Sequence, residues 1–199
     1  MRRVIGIDFD HTLVSYDQPL RSLARELGFE ERLSKTEFRD ALRRSPEGDI
    51  AWQRVQAQLY GPRMGEATPM EGAMEFLQVC VERGWTVHIV SHKTQYAAYD
   101  PAKTDLREAA LAWILHTKLP IPIEHVHFAS TRKEKLDFIR HLNCQCFIDD
   151  LVEVFLEPDF PLAVERILFS TAAPANLDPT VQVFGTWPEI QTYVVSHGD

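Results

Sequence analysis

Residues 2–15, "RRVIGIDFDHTLVS", decide how the rest of the chain is read. Val4, Ile5, Gly6 and Ile7 form a short apolar run, the pattern of a strand buried on both faces. Asp8 and Asp10 follow at once, with only Phe9 between them. In extended backbone, residues two apart point to the same side, so the two carboxylates are presented together. That crowding is costly unless a cation sits between them.

Working outward, residues 18 to about 66 read as helices: "QPLRSLARELGF", "SKTEFRDALRRS" and "GDIAWQRVQAQLYG". Ser34 with Glu37 makes a capping box, and Asp49 suits the cap of the third helix. From Thr68 the chain alternates. A helix over 71–83 ends at Gly84, and a β-branched strand over 86–90 stops at Ser91. Helices over 103–117 and 132–142 precede strands over 124–129 and 145–149 in turn. Short strands near 166–169 and 181–184 lead to a last helix at 188–196. This alternation predicts an α/β fold, a Rossmann-like, mainly parallel sheet flanked by helices on both faces. The helical stretch predicts a small all-helical insertion, 15–68, in a sheet domain made of 1–14 and 69–199.

Composition narrows the function. Hydrophobic residues make up 45% and charged residues 25% of 199 residues, with no low-complexity tract, so the whole chain reads as ordered. A net charge of -8 argues against a general affinity for nucleic acid. No run is long enough for a signal peptide or a membrane span, which points to the cytoplasm. Three cysteines, Cys80, Cys144 and Cys146, suit a reduced compartment better than a disulfide framework. A zinc site from Cys144, Cys146, His125 and His127 lacks any CxxC spacing and is set aside in favour of core thiols. Trp52, Trp85, Trp113 and Trp187 read as packing residues.

In open parallel sheets, ligands bind beyond the carboxyl ends of the strands. Those ends carry Asp8 and Asp10, Ser91, Ser130 and Thr131, and Asp149 and Asp150. Four carboxylates converging on one crevice call for a hard cation such as magnesium, which in turn attracts phosphate. Asp8 has the position of a nucleophile, Asp10 reaches toward a leaving group, and a lysine from "STRKEKLDFI" supplies positive charge. His92 and Lys93, next to the expected phosphate position, are candidate substrate contacts. The stretch "HKTQYAAYDPAKTD" that they open is long for a connection and reads as a functional loop. Arg21, Arg25, Arg43, Arg44 and Arg54 of the insertion read mainly as solvated helix faces.

These residues resemble the motifs of the haloacid dehalogenase superfamily. "DFDHTL" is similar to its DxDx[TV] motif, "HIVSHK" to its strand-ending Ser/Thr motif, the lysine before "LDFI" to its third, and "FIDDLVEV" to its acidic fourth. All occur in order between residues 4 and 153. The resemblance implies that Asp8 is nucleophile and magnesium ligand, and that Asp10 is general acid and base with its backbone carbonyl on the metal. It also implies that Thr12 shapes the turn and that Ser91 holds the phosphoryl group. Asp150 matches the fourth motif's acid, with Asp149 as an additional or alternative ligand. Lys135 is the first choice for the third motif, with Lys133 as the alternative. His11 stands where the superfamily more often has Gly. An Asp at position 10 favours phosphate ester hydrolysis or a mutase over dehalogenation, and the helical insertion resembles a small cap of the first class. The implied function is a magnesium-dependent phosphatase of a small phosphorylated metabolite. A phosphomutase or phosphotransferase, or a non-catalytic ligand- or partner-binding member, stands as the alternative.

Overall fold

The computed structural model describes residues 3–197. In chain order, β1 (Val4–Ile7) and β2 (Val14–Ser15) are followed by α1 (Asp17–Glu26), α2 (Lys35–Arg43) and α3 (Asp49–Tyr60). After β3 (Thr68–Pro69) come α4 (Ala73–Glu82), β4 (Thr86–His92), α5 (Leu106–Thr117), β5 (Val126–Ala129) and α6 (Arg132–His141). The chain closes with β6 (Cys146–Asp149), α7 (Val152–Phe155), β7 (Glu165–Phe169), β8 (Val181–Phe184) and α8 (Trp187–Ser196). By its contacts the chain divides into two compact units.

The first unit comprises the described chain up to Val14, Pro69–Lys93, and the described chain from Leu119 onward. Its six-stranded sheet has the order β5-β4-β1-β6-β7-β8, and every neighbouring pair is parallel. The chain therefore winds outward from β1 to one side, returns, and winds to the other, as in a Rossmann sheet. β1 lies between β4 and β6, and Ile5 and Ile7 of its short apolar run are fully buried. Gly6 in that run has a packing reason, since a Cβ there would lie 2.5 Å from Phe147 Cδ2 and 2.9 Å from Cys144 Sγ. One face of the sheet packs Leu136 and Ile139 of α6 with Phe147, Leu168 and Phe155. Elsewhere in this unit Phe76 of α4 and Phe169 of β7 lie against Trp187 of α8, at ring separations of 5.0 and 5.7 Å. Thr186 caps α8 through a capping box with Glu189.

The second unit comprises Ser15–Thr68 and Thr94–Lys118. The sequence assigned the latter segment to the sheet domain; the packing groups it with the helical insertion instead. The reason lies in α5. Its Trp113 is buried and donates from Nε1 to the Ala67 carbonyl at 2.9 Å. The Gln95 carbonyl accepts from the amide of Leu106, the first residue of the helix, and Asp105 caps it by accepting from the Arg107 and Glu108 amides. Phe38 and Trp52 meet edge to face at 6.4 Å, and Ser34 and Glu37 form the expected capping box on α2. No helix among the described residues is long and apolar enough to cross a membrane.

Candidate active site

The winding reverses beside β1, so the crevice of this sheet lies past the ends of β1 and β6. Asp8 follows β1 directly, and its amide donates to Ile148 O of β6 at 2.8 Å, which continues the ladder one residue beyond the strand. The backbone then folds back. His11 N donates to Val14 O, and Leu13 N and Val14 N donate to Phe9 O. His11 takes φ 63, the left-handed region that glycine adopts without cost. On the neighbouring strand, Asp149 is the last residue of β6 and Asp150 the next.

Lys135 joins the two strand ends. Its Nζ donates to Asp8 Oδ1 and Asp149 Oδ2, each at 2.6 Å, and all three side chains are buried. Asp149 Oδ1 also accepts from the Leu151 amide at 2.9 Å. Thr12 is fully buried; its hydroxyl donates to Asp150 Oδ1 at 3.4 Å, and its carbonyl accepts from Trp187 Nε1. Ligand oxygens of Asp8, Asp149 and Asp150 all lie within 4.8 Å of one another. Burial pushes the Asp8 carboxyl well above the usual range; Lys135 pulls it back, while Asp149, Asp150 and Asp10 push it further up. Burial opposes the Lys135 charge too, yet Asp149 and Asp8 hold that ammonium above the ordinary lysine range.

Each residue singled out in the sequence has a definite place. Lys135 reaches the carboxylates, whereas Lys133 is exposed. Ser91 is buried and sits inside β4, opposite Phe128, rather than just past its end. His92 is exposed and its Nε2 meets Ser130 O at 3.1 Å. Asp10 does not join the acidic trio through its side chain; its carboxylate pairs with Lys93 Nζ, at 2.8 Å for Oδ2 and 3.1 Å for Oδ1. That pairing is the feature that sequence reading missed, because it joins residues 83 positions apart with no shared pattern. Cys144 and Cys146 are buried thiols pushed up to about 12 by burial, as core residues would be. His125 and His127 gather with His88 on β4 instead of with the thiols.

A magnesium ion suits the chemistry of this donor set. All three members of the trio offer hard carboxylate oxygens, and a bound cation would offset the burial and the mutual repulsion that raise the Asp8 carboxyl, so the residues fit.

The sheet and its acidic tips define a doubly wound α/β protein with a cluster of carboxylates at the switch point. Known structures give that class a name. No protein-family profile matches the sequence, nor does any curated protein. Solved structures do. A predicted phosphatase from Clostridium acetobutylicum superposes with TM-score 0.62 at 12% identity, covering 98% of this chain and 99% of that one. A haloacid dehalogenase-family hydrolase from Deinococcus radiodurans, solved with bound phosphate and sodium, gives 0.59 at 15%, covering 99% and 96%. A haloacid dehalogenase-like hydrolase from Streptococcus pneumoniae gives 0.60 at 13%, covering 96% and 98%. The chain has the haloacid dehalogenase fold.

Proposed function

We propose that the protein is a magnesium-dependent phosphatase that hydrolyses a small phosphorylated metabolite through an aspartyl phosphate. The observation that carries this reading is the buried Lys135 bridge between Asp8 and Asp149, set beside Asp150 at the tips of adjacent strands. Such a cluster concentrates charge where a phosphoryl group needs it and is a costly arrangement for stability alone. The phosphate bound to the Deinococcus radiodurans hydrolase supports the same substrate class.

In this reading Asp8, Asp150 and the Asp10 carbonyl hold the magnesium ion, with Asp149 as an additional ligand. Both oxygens of Asp149 accept hydrogen bonds from Lys135 and Leu151, which gives it the further task of orienting the lysine. When bound, the ion would neutralise charge on the transferring phosphoryl group. The protein's own side chains do the rest. One Asp8 oxygen is oriented by Lys135, and the other attacks phosphorus. The ester P–O bond breaks, its electron pair leaves on the departing oxygen, and Asp10 supplies that oxygen with a proton. Water then attacks phosphorus and returns a proton to Asp10; the bond to Asp8 breaks and inorganic phosphate leaves. Ser91 donates to a phosphoryl oxygen, and Thr12 acts by holding Asp150. We assign His92 the task of a further substrate contact. The reading places the protein in a reducing cytoplasm, in keeping with three free, buried thiols.

The test is phosphate release from p-nitrophenyl phosphate. Wild-type protein should turn over with magnesium and stop with a chelator, and Asp8→Asn should lose at least about a thousandfold, the scale of a removed nucleophile. Undiminished release by Asp8→Asn overturns the reading. Rapid transfer to an added alcohol, with slow hydrolysis, would redirect it to a phosphotransferase. A panel of sugar, nucleotide and amino-alcohol phosphates then identifies the substrate class.

A further inference from the structure

Lys93 carries a charge in a place where charges are expensive. It directly follows β4, an inner strand paired with β1 on one side and β5 on the other. Its amide donates to Ala129 O at 2.9 Å, so the backbone is still held by the edge of the ladder. The side chain is 2% exposed, and its Nζ lies 5.7 Å from the Phe9 ring centroid as well as against both Asp10 oxygens. An ammonium removed from water to this degree is held by its partner, because separating a buried pair leaves both charges uncompensated.

The site therefore has two buried lysines with separate duties. Lys135 serves the strand tips that hold Asp8 and Asp149, and Lys93 pairs with both oxygens of Asp10. Asp10 needs such a partner more than Asp8 does. Asp8 extends a ladder, while Asp10 sits on the turn that folds back toward Val14, is only half-buried, and takes no part in the acidic trio through its side chain. Its carboxyl must nonetheless meet the leaving oxygen within hydrogen-bond reach, and small misplacements there are costly.

We propose that Lys93 is a positioning residue for Asp10, fixing the carboxyl that hands its proton to the leaving oxygen, rather than a ligand of the phosphoryl group. This rests on the phosphatase reading, and it replaces the direct substrate contact that the sequence suggested for Lys93.

The two roles separate by leaving group. A lysine on the phosphoryl group would matter equally for any ester, because the phosphoryl group does not change. A lysine that aims the acid matters most where the departing oxygen needs a proton. Phenolate needs one far more than p-nitrophenolate does. The measurement is kcat/KM for phenyl phosphate and for p-nitrophenyl phosphate, with magnesium, in wild type, Lys93→Met and Lys93→Arg. Their ratio within one preparation is independent of how much of the sample is folded. Lys93→Met should lose about tenfold or more on phenyl phosphate beyond its loss on p-nitrophenyl phosphate, within the span of general acid catalysis. Lys93→Arg, which keeps the charge, should restore most of the wild-type ratio. Equal losses on both esters, a rise confined to KM, or no loss at all would overturn the proposal. Wild-type protein that releases no phosphate from either ester sinks the phosphatase reading first and this inference with it.

Discussion

Lys135 shows how much one side chain can decide. It is enclosed with two carboxylates, and removing only the cation leaves both buried without it. Lys135→Met, similar in length and apolar, should therefore cost roughly 3–5 kcal/mol at neutral pH, the usual penalty for breaking a buried pair from one side. Urea unfolding measures it, and a loss under about 1 kcal/mol would mean that the bridge is not holding those charges. The choice between Lys133 and Lys135 was legible in principle from spacing. Lys135 and Ile139 are four residues apart and share the buried face of α6, while the same step from Lys133 arrives at Asp137, which is not buried. Asp8, Asp149 and Asp150 could be read directly, because each follows or ends an apolar strand. The Lys93 to Asp10 pair could not, since neither propensity nor period relates a turn after β1 to the residue after β4.

At the scale of elements, apolar runs marked the six sheet strands well, and polar tips blurred where they stop. β4 continues through Ser91 and His92 because β5 pairs with them, opposite Phe128 and Ala129, and only tertiary pairing supplies that. The same two strands, with His125 just ahead of β5, carry a histidine cluster. His88 Nδ1 and His127 Nε2 are 3.1 Å apart, and the His88 ring lies 4.4 Å from that of His125, which meets Val87 O through its Nδ1. Burial, then the charges of His125 and His127, lower His88 to about 4, and burial and His125 lower His127 as well. A folded-state value below that of the unfolded chain means the unfolded chain binds more protons between pH 6.5 and about 4. Stability from this cluster is thus complete above pH 6.5 and declines as the pH falls through that window. One full proton difference carries about 1.4 kcal/mol per pH unit, and half-exposed rings give a fraction of it. Thermal melts across the window should be flatter for His88→Phe than for wild type, so that the variant gains stability relative to wild type as the pH falls; parallel curves would show that the cluster is not the acid-sensitive part.

Across the whole molecule, alternation of helix and strand was enough to announce a parallel α/β sheet, but the strand order was not in the pattern. Nor was the membership of α5, because an amphipathic helix buries its apolar stripe equally well against a sheet or against other helices; contacts such as Trp113 to Ala67 decided it. The order matters because it places β1 next to β6, bringing Asp8 and Asp150 together from distant parts of the sequence. Only the folded chain makes that pairing, so an ion that bridges it must stabilise the fold as a whole. At a hundred times its dissociation constant, magnesium should add about 2.7 kcal/mol. For a chain of this size that is roughly 5–10 °C in Tm. A screening effect on a protein of net charge -8 would stabilise as well, by easing self-repulsion, and must be separated. Sodium chloride at matched ionic strength isolates it. The site-specific part should survive that subtraction in wild type and vanish in Asp150→Asn, which keeps the shape but lacks the charge. Equal shifts from sodium and magnesium, or an unaltered magnesium shift in Asp150→Asn, would show that the acidic tips hold no ion, whatever the activity measurements return.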